Sequence, residues 1–294
     1  MLPFNFDYYK PESIKEALEL FQTLKVQGKT PLYYGGGTEI ITLGRLNLVN
    51  ADSIIDLKGI RECQIFEVRN DELIIGSAVN LSVFEEKELF PLLTDTSKEV
   101  ADYTSRNKIT IGGNICGRIF YRESVLPFLL ADSAVIIAGS KGIRKLLLSE
   151  IFDKELHLEE GEFLVQIITE KEYLHTPHLS IKKRKQWDTG YPLLTVASLK
   201  IDGYLRFAFS GVCPYPFRSI PMEKILNDQK LSYKDRVLAS FEYLPNPILN
   251  DIEGSNEYRL FVLENTLSAI LSRLGGEEHE SKKDDYLRNK SREV

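Results

Sequence analysis

Two glycine runs hold the residues whose types and order best suit chemistry. The first is Gly35-Gly36-Gly37-Thr38-Glu39-Ile40, which leaves the apolar stretch Pro31 to Tyr34. The second is Thr110-Ile111-Gly112-Gly113-Asn114, entered through Ser105 to Ile109 and followed by the small residues Cys116 and Gly117. Adjacent glycines let the backbone approach a ligand closely and aim successive N–H groups at one point. Such a nest suits an anion, most often a phosphate. A tight turn needing positive φ is the plainer use of a single Gly-Gly pair. Two such runs, far apart in sequence, shift the balance toward two loops closing on one diphosphate.

Other chemistries find less support. His175 and His178 have a ligand-like spacing, but Pro177 lies between them and no third ligand adjoins, so a metal site is not expected. No Gly-x-Ser-x-Gly elbow marks a hydrolase, and the first glycine run lacks the Gly-Lys-Ser/Thr of a Walker loop. Cys63, Cys116 and Cys213 are odd in number and form no Cys-x-x-Cys pair. They suggest reduced thiols in a cytoplasmic protein, and they cannot supply four ligands to an iron–sulfur cluster. With 37 basic against 43 acidic residues the net charge is −6, which argues against a nucleic-acid groove. No apolar run reaches the ~18 residues of a membrane span, and the N-terminus lacks the features of a signal peptide.

The 294 residues suffice for two or three domains. Ser13 reads as an N-cap with Glu16 completing a capping box, and Ile14, Leu18, Phe21 and Leu24 share the face of the helix that follows. Pro31 to Tyr34, Ser53 to Leu57, Glu72 to Gly76, Ala134 to Ala138 and Phe163 to Ile168 read as strands. Thr110 and Ile111 read as a strand end. Short helices are expected from Ser82 to Glu88, from about Leu92 to Tyr103, and from Ser124 to Ala131 with Pro127 in the first turn. Asp202-Gly203, set between two apolar runs, is a strong hairpin signal. Leu260, Leu263, Leu267, Ile270 and Leu274 share a face of a last helix, with Gly275 as its C-cap. The mixture lacks strict βαβ repetition, so the fold class is α+β.

With both loops and the hairpin in place, the pattern resembles the FAD-binding (medium) subunit of xanthine dehydrogenase and carbon monoxide dehydrogenase type molybdenum hydroxylases. Thr110 to Asn114 matches that family's Thr-Ile-Gly-Gly-Asn residue for residue, and Gly35 to Ile40 looks like its Ala-Gly-Gly-Thr-Asp-Leu loop. Ile55-Asp56-Leu57, Ile75 to Ala78 and the stretch Phe209 to Arg218 fall where similar segments fall in the family. The resemblance spans roughly residues 3 to 275 and implies a two-lobed FAD domain of the PCMH type over 1–172, split near 58–62. A smaller α+β domain with an antiparallel sheet would cover 173–275, followed by a charged tail at 276–294 expected to be disordered.

The resemblance also implies a non-covalent FAD, its pyrophosphate held by backbone N–H groups of both loops with Thr38 and Asn114 adding side-chain hydrogen bonds. Tyr191 is similar in position to an aromatic that covers the flavin ring, with core packing as its alternative. Lys183 or Arg184, in a basic run that otherwise reads as a solvated strand or loop, could offset negative charge on reduced flavin. Relatives carry an acid after Gly-Gly-Asn; here Glu123 or Ser124 takes its place according to the direction of alignment, and Arg118 and Arg122 could instead meet phosphate or a partner. Tyr34 and Glu39 depart more mildly. No side chain need be an acid or base. The function implied is electron transfer from an iron–sulfur subunit through FAD to NAD or another acceptor, with hydroxylation on a separate molybdenum-cofactor subunit. The alternatives are a stand-alone flavin reductase and a non-catalytic FAD- or nucleotide-binding assembly module.

Overall fold

Successive strands of the first lobe are joined by helical crossovers, which makes its small sheet parallel. In a computed structural model describing residues 4–185 and 190–276, β1 (Asp7–Tyr9), β2 (Pro31–Tyr34) and β3 (Ser53–Asp56) lie in the order β1-β3-β2. Helices Ile14–Val26 and Thr38–Arg45 form the crossovers. The first begins at Ser13, whose hydroxyl accepts from Glu16 N–H at 3.2 Å, while Glu16 accepts in turn from the N–H of Glu12 at 2.8 Å. Ala17, Phe21 and Leu24 of this helix are buried against Ile55 and Leu57. The βαβ repetition absent from the sequence reading thus occurs, but only in this lobe.

The second lobe is an antiparallel sheet of β4 (Phe66–Arg69), β5 (Glu72–Gly76), β6 (Ala134–Gly139), β7 (Gly142–Leu147) and, past the two-residue strands β8 (Phe152–Asp153) and β9 (Glu155–Leu156), β10 (Phe163–Glu170). Its order is β4-β5-β10-β6-β7. The chain between β5 and β6 is a run of short helices containing the second glycine loop. The helix expected from about Leu92 to Tyr103 is two: Pro91–Ser97, then Tyr103–Arg106, because Asp102 accepts from Ser105 N–H at 2.8 Å and starts a new cap. Ser124 to Ala131 likewise divides into a 3₁₀ turn, Glu123–Val125, and the helix Leu126–Leu130.

The C-terminal sheet is antiparallel: β11 (His178–Lys183), β12 (Leu194–Ile201), β13 (Tyr204–Ser210) and β14 (Phe217–Arg218). Asp202 at φ 49° and Gly203 at φ 80° form the hairpin turn joining β12 to β13. Both faces of these strands are covered. Ala197, Leu199 and Ala208 join the core of the second lobe, while Leu194, Val196, Phe207 and Phe209 pack under helices Ile220–Leu226 and Asn256–Leu274. That double burial explains why β12 reads as a nearly continuous apolar run. The tail at 277–294 and Trp187, Asp188 and Thr189 lie outside the described residues.

Candidate functional site

The fold brings the two glycine runs into direct contact. A Cβ on Gly35 would lie 2.5 Å from Thr110 Oγ1, and one on Gly36 would overlap the Lys108 carbonyl oxygen. Only glycine permits this approach. Gly37, at φ +72°, then turns the chain into helix Thr38–Arg45. It has no side chain with which to cap that helix, and the N–H groups of Thr38, Glu39 and Ile40 find no partner among the described residues. An uncapped helix N-terminus beside a glycine turn favours a phosphate.

The second run is built differently from the strand end expected. Thr110 pairs with Asn80 in a single bridge, then N-caps helix Ile111–Cys116 by accepting from Gly113 N–H at 3.1 Å. The N–H groups of Ile111, Gly112 and Asn114 donate to the carbonyls of Val79, Ser77 and Thr110 at 2.9, 2.8 and 2.9 Å. The N–H groups of Ile111, Gly112, Gly113 and Asn114 are therefore engaged within the chain; these four residues offer a ligand shape and one side chain. Gly112 is buried, with Ser77 Cβ 2.6 Å from where its own Cβ would stand, whereas Gly113 is exposed. Asn114 is 8 % exposed, and its Oδ1 has no hydrogen-bond partner among the described residues. A buried amide oxygen left unpaired costs ~1–3 kcal/mol, which a ligand hydroxyl can remove. The unpaired helix N-terminus, the close glycines and this orphaned amide fit the diphosphate and hydroxylated chain of a dinucleotide.

Two residues that hold this arrangement, Lys58 and Tyr8, carried no signal in the sequence. Lys58 donates to the Gly35 carbonyl at 2.6 Å, pairs with Asp56 Oδ1 at 2.8 Å and sits over the Tyr34 ring at 4.5 Å. Asp56, 2 % exposed, also accepts from the Tyr8 hydroxyl. Glu39 accepts from Arg118 N–H at 2.6 Å and so ties the first loop to the exit of the second.

That exit segment serves the domain junction. Arg122 is buried, donating to the Gly117 carbonyl at 3.1 Å and to that of Lys154, so it is not free to meet phosphate. Glu123 is 2 % exposed and has both carboxylate oxygens taken: Thr195 donates to one at 2.5 Å and Lys182 to the other at 2.7 Å. Burial pushes the Glu123 carboxyl up and the Lys182 ammonium down, each opposed by the partner's charge. Ser124 is fully buried, with the Ser97 hydroxyl 3.5 Å away. Strand alternation turns Lys183 outward, opposite to Lys182 and Arg184. Arg184 pairs with Glu99 at 2.8 Å. Tyr191, 55 % exposed, stacks on Tyr121 with centroids 5.0 Å apart and planes at 16°. A groove of about 700 Å³ between helix Pro91–Ser97, β11 and helix Asn256–Leu274 shares no residue with either glycine loop.

Paired glycine loops on a two-lobed α+β domain, the second ending in an orphaned amide, suit a dinucleotide. Residues 4–169 match the family of the FAD binding domain in molybdopterin dehydrogenase, and the chain belongs to that family. It is an FAD-binding subunit of the molybdenum hydroxylase class. It is similar to the glyceraldehyde dehydrogenase medium chain of Sulfolobus acidocaldarius, 26% identical over 278 residues that make up 90% of this chain and 96% of that one. The xanthine dehydrogenase FAD-binding subunit of Escherichia coli O157:H7 is 24% identical over 90% of this chain and 94% of its own. Among solved structures, carbon monoxide dehydrogenase from Hydrogenophaga pseudoflava shares the fold at a TM-score of 0.81 and 22% identity, covering 92% of this chain and 98% of that one. Quinoline 2-oxidoreductase from Pseudomonas putida 86 does so at 0.78 and 20% identity, covering 94% and 98%.

Proposed function

We propose that this chain passes electrons within a multi-subunit molybdenum hydroxylase, from an iron–sulfur partner through bound FAD to NAD or another acceptor. Substrate hydroxylation would fall to a molybdenum-cofactor subunit, in a cytoplasmic setting that suits three unpaired cysteines. The observation that carries the reading is the contact between the two glycine loops, the first opening into a helix with free N–H groups and the second ending in the unpaired Asn114 amide. When bound, FAD supplies the redox chemistry; the chain supplies binding, orientation and electrostatics.

On this reading Thr38, Glu39 and Ile40 present N–H donors to the pyrophosphate, and Thr110 keeps the second loop in shape. Asn114 gives one hydrogen bond, and Tyr191 provides an aromatic face. Lys58 fixes the Gly35 carbonyl and adds a positive charge beside the anion site.

The test is to express the chain alone and with its iron–sulfur and molybdenum partners. The purified chain should show flavin absorption bands near roughly 370 and 450 nm. In the complex, hydroxylatable substrate should bleach the flavin only when the iron–sulfur chain is present. Bleaching at the same rate without that chain refutes the proposed route. NADH oxidation with a free acceptor by the isolated chain would instead support a stand-alone reductase.

A further inference from the structure

The segment from Arg118 to Ser124 delivers an aromatic ring across the domain junction. Tyr121 is 7 % exposed. Phe120 lies beside it with centroids 4.2 Å apart. The far edge of the ring reaches the C-terminal domain: a Cβ on Gly211 would come within 3.3 Å of Tyr121 Cε1, and Gly211 stands at φ +76°. The hydroxyl faces Arg259 and Asp251. Arg259 is fully buried, donates to Gly211 O at 2.6 Å and pairs with Asp251, so the wall that Tyr121 meets is rigid. One face of Tyr121 carries the Tyr191 ring. Tyr191 remains half open to solvent, directly after the segment Gln186 to Gly190. The Glu39–Arg118 hydrogen bond makes the path from the first glycine loop to this stack continuous.

We infer that Tyr121 is a positioning residue for the flavin: it carries Tyr191 as the outer leaf of a preformed aromatic platform, whose open face receives a planar tricyclic ring. A lone exposed tyrosine would sample several rotamers and lose that freedom on binding. Tyr191 backed by a buried ring has already lost much of it. The inference rests on the FAD reading and adds a residue from the FAD domain to the ring end of the site.

The experiment uses the full chain and four variants: Tyr121→Leu, Tyr121→Phe, Tyr191→Leu and the Tyr121→Leu/Tyr191→Leu double. The readouts are the FAD dissociation constant from flavin fluorescence, the position of the visible flavin band, and the melting temperature without FAD. Tyr121→Phe should match wild type in affinity and spectrum. Tyr121→Leu should bind FAD roughly two- to tenfold more weakly, the worth of one aromatic pair, with its band moved toward that of free FAD. In the double variant the loss should not exceed that of Tyr191→Leu alone. Wild-type affinity and spectrum in Tyr121→Leu, or additive losses in the double variant, overturn the inference. Should Tyr121→Leu not fold, Tyr121→Met, which keeps volume without a ring, must show the same weakened binding. A wild-type chain that takes up no FAD overturns the binding reading and this inference with it.

Discussion

Gly113→Asp separates binding from folding with opposite signs. Gly113 is exposed, and apart from its chain neighbours and its own helix backbone, an added Cβ would meet Thr110 Oγ1 at 2.9 Å and no other atom of the described residues within 4 Å. Gly113 is the third residue of the helix that Thr110 caps. A carboxylate in a first turn is favoured by the helix dipole by ~0.3–1 kcal/mol, and replacing a helical glycine removes its entropic cost. These gains offset the mild crowding of Thr110, so the melting temperature without FAD should stay within a few degrees of wild type; ~1 kcal/mol moves it by ~2–4 °C in a domain of this size. Against a diphosphate the same carboxylate is repulsive. At about 4 Å one charge pair costs ~1 kcal/mol in water and ~4 kcal/mol at an effective dielectric of about 20. FAD binding should therefore weaken roughly 5-fold at least and up to about 700-fold. Part of the loss should recover in high salt, and Gly113→Asn should lose less. Isothermal titration with FAD at two ionic strengths, beside thermal unfolding of the apo chain, checks both halves. Undiminished FAD affinity in a folded Gly113→Asp protein refutes the placement of the pyrophosphate at this loop.

Gly36→Ala should act the other way, because its Cβ would overlap the Lys108 carbonyl: overpacking costs ~1–3 kcal/mol or more, read as a lower melting temperature even without FAD. Lys182→Met leaves the buried Glu123 carboxylate without its paired cation, keeping the Thr195 hydrogen bond and the weaker influence of Arg184, and should cost ~3–5 kcal/mol; Lys182→Met combined with Glu123→Leu should recover much of it in the same unfolding assay. Burial raises the Tyr121 phenol from 10.0 to about 12. The fold therefore favours the protonated ring: this contribution is complete below pH 10.0 and is lost as pH rises through about 12. Alkaline unfolding should steepen in that window for wild type and flatten in Tyr121→Phe, with tyrosinate absorbance as the monitor.

The parts legible in the sequence were those set by local chemistry. The Ser13 cap, the Asp202-Gly203 turn and the strand runs need only neighbouring residues, and the structure has them. The two glycine runs were legible because a close backbone approach excludes other residues. What they do once together was not. Whether a loop N–H is free depends on distant carbonyls, and those of Ser77 and Val79 engage the second run. Pairing across domains was equally hidden. Nothing local says that Lys182 and Arg184 would face Glu123 and Glu99 while Lys183 turns outward. That follows from the phase of β11, set by the apolar residues Leu179 and Ile181 on its other face.

The same distinction accounts for the segment after Gly117. An acid there in relatives suggested a ligand contact for Glu123 or Ser124, yet both side chains are sealed from solvent. Burying Glu123 with only its partners' charge for compensation is expensive, and so is burying Arg122. Burial of this kind persists where it fixes one arrangement among several. Here the arrangement is the junction itself: Glu123 binds Lys182 of β11 and Thr195 of β12, and Tyr121 binds the wall at Gly211. Tyr121 and Glu123 thus clasp the sheet whose neighbouring loop carries Tyr191. A change in this segment should register at the ring end of the site before it registers at the pyrophosphate, since Thr110 to Asn114 is held by the carbonyls of Ser77 and Val79 instead.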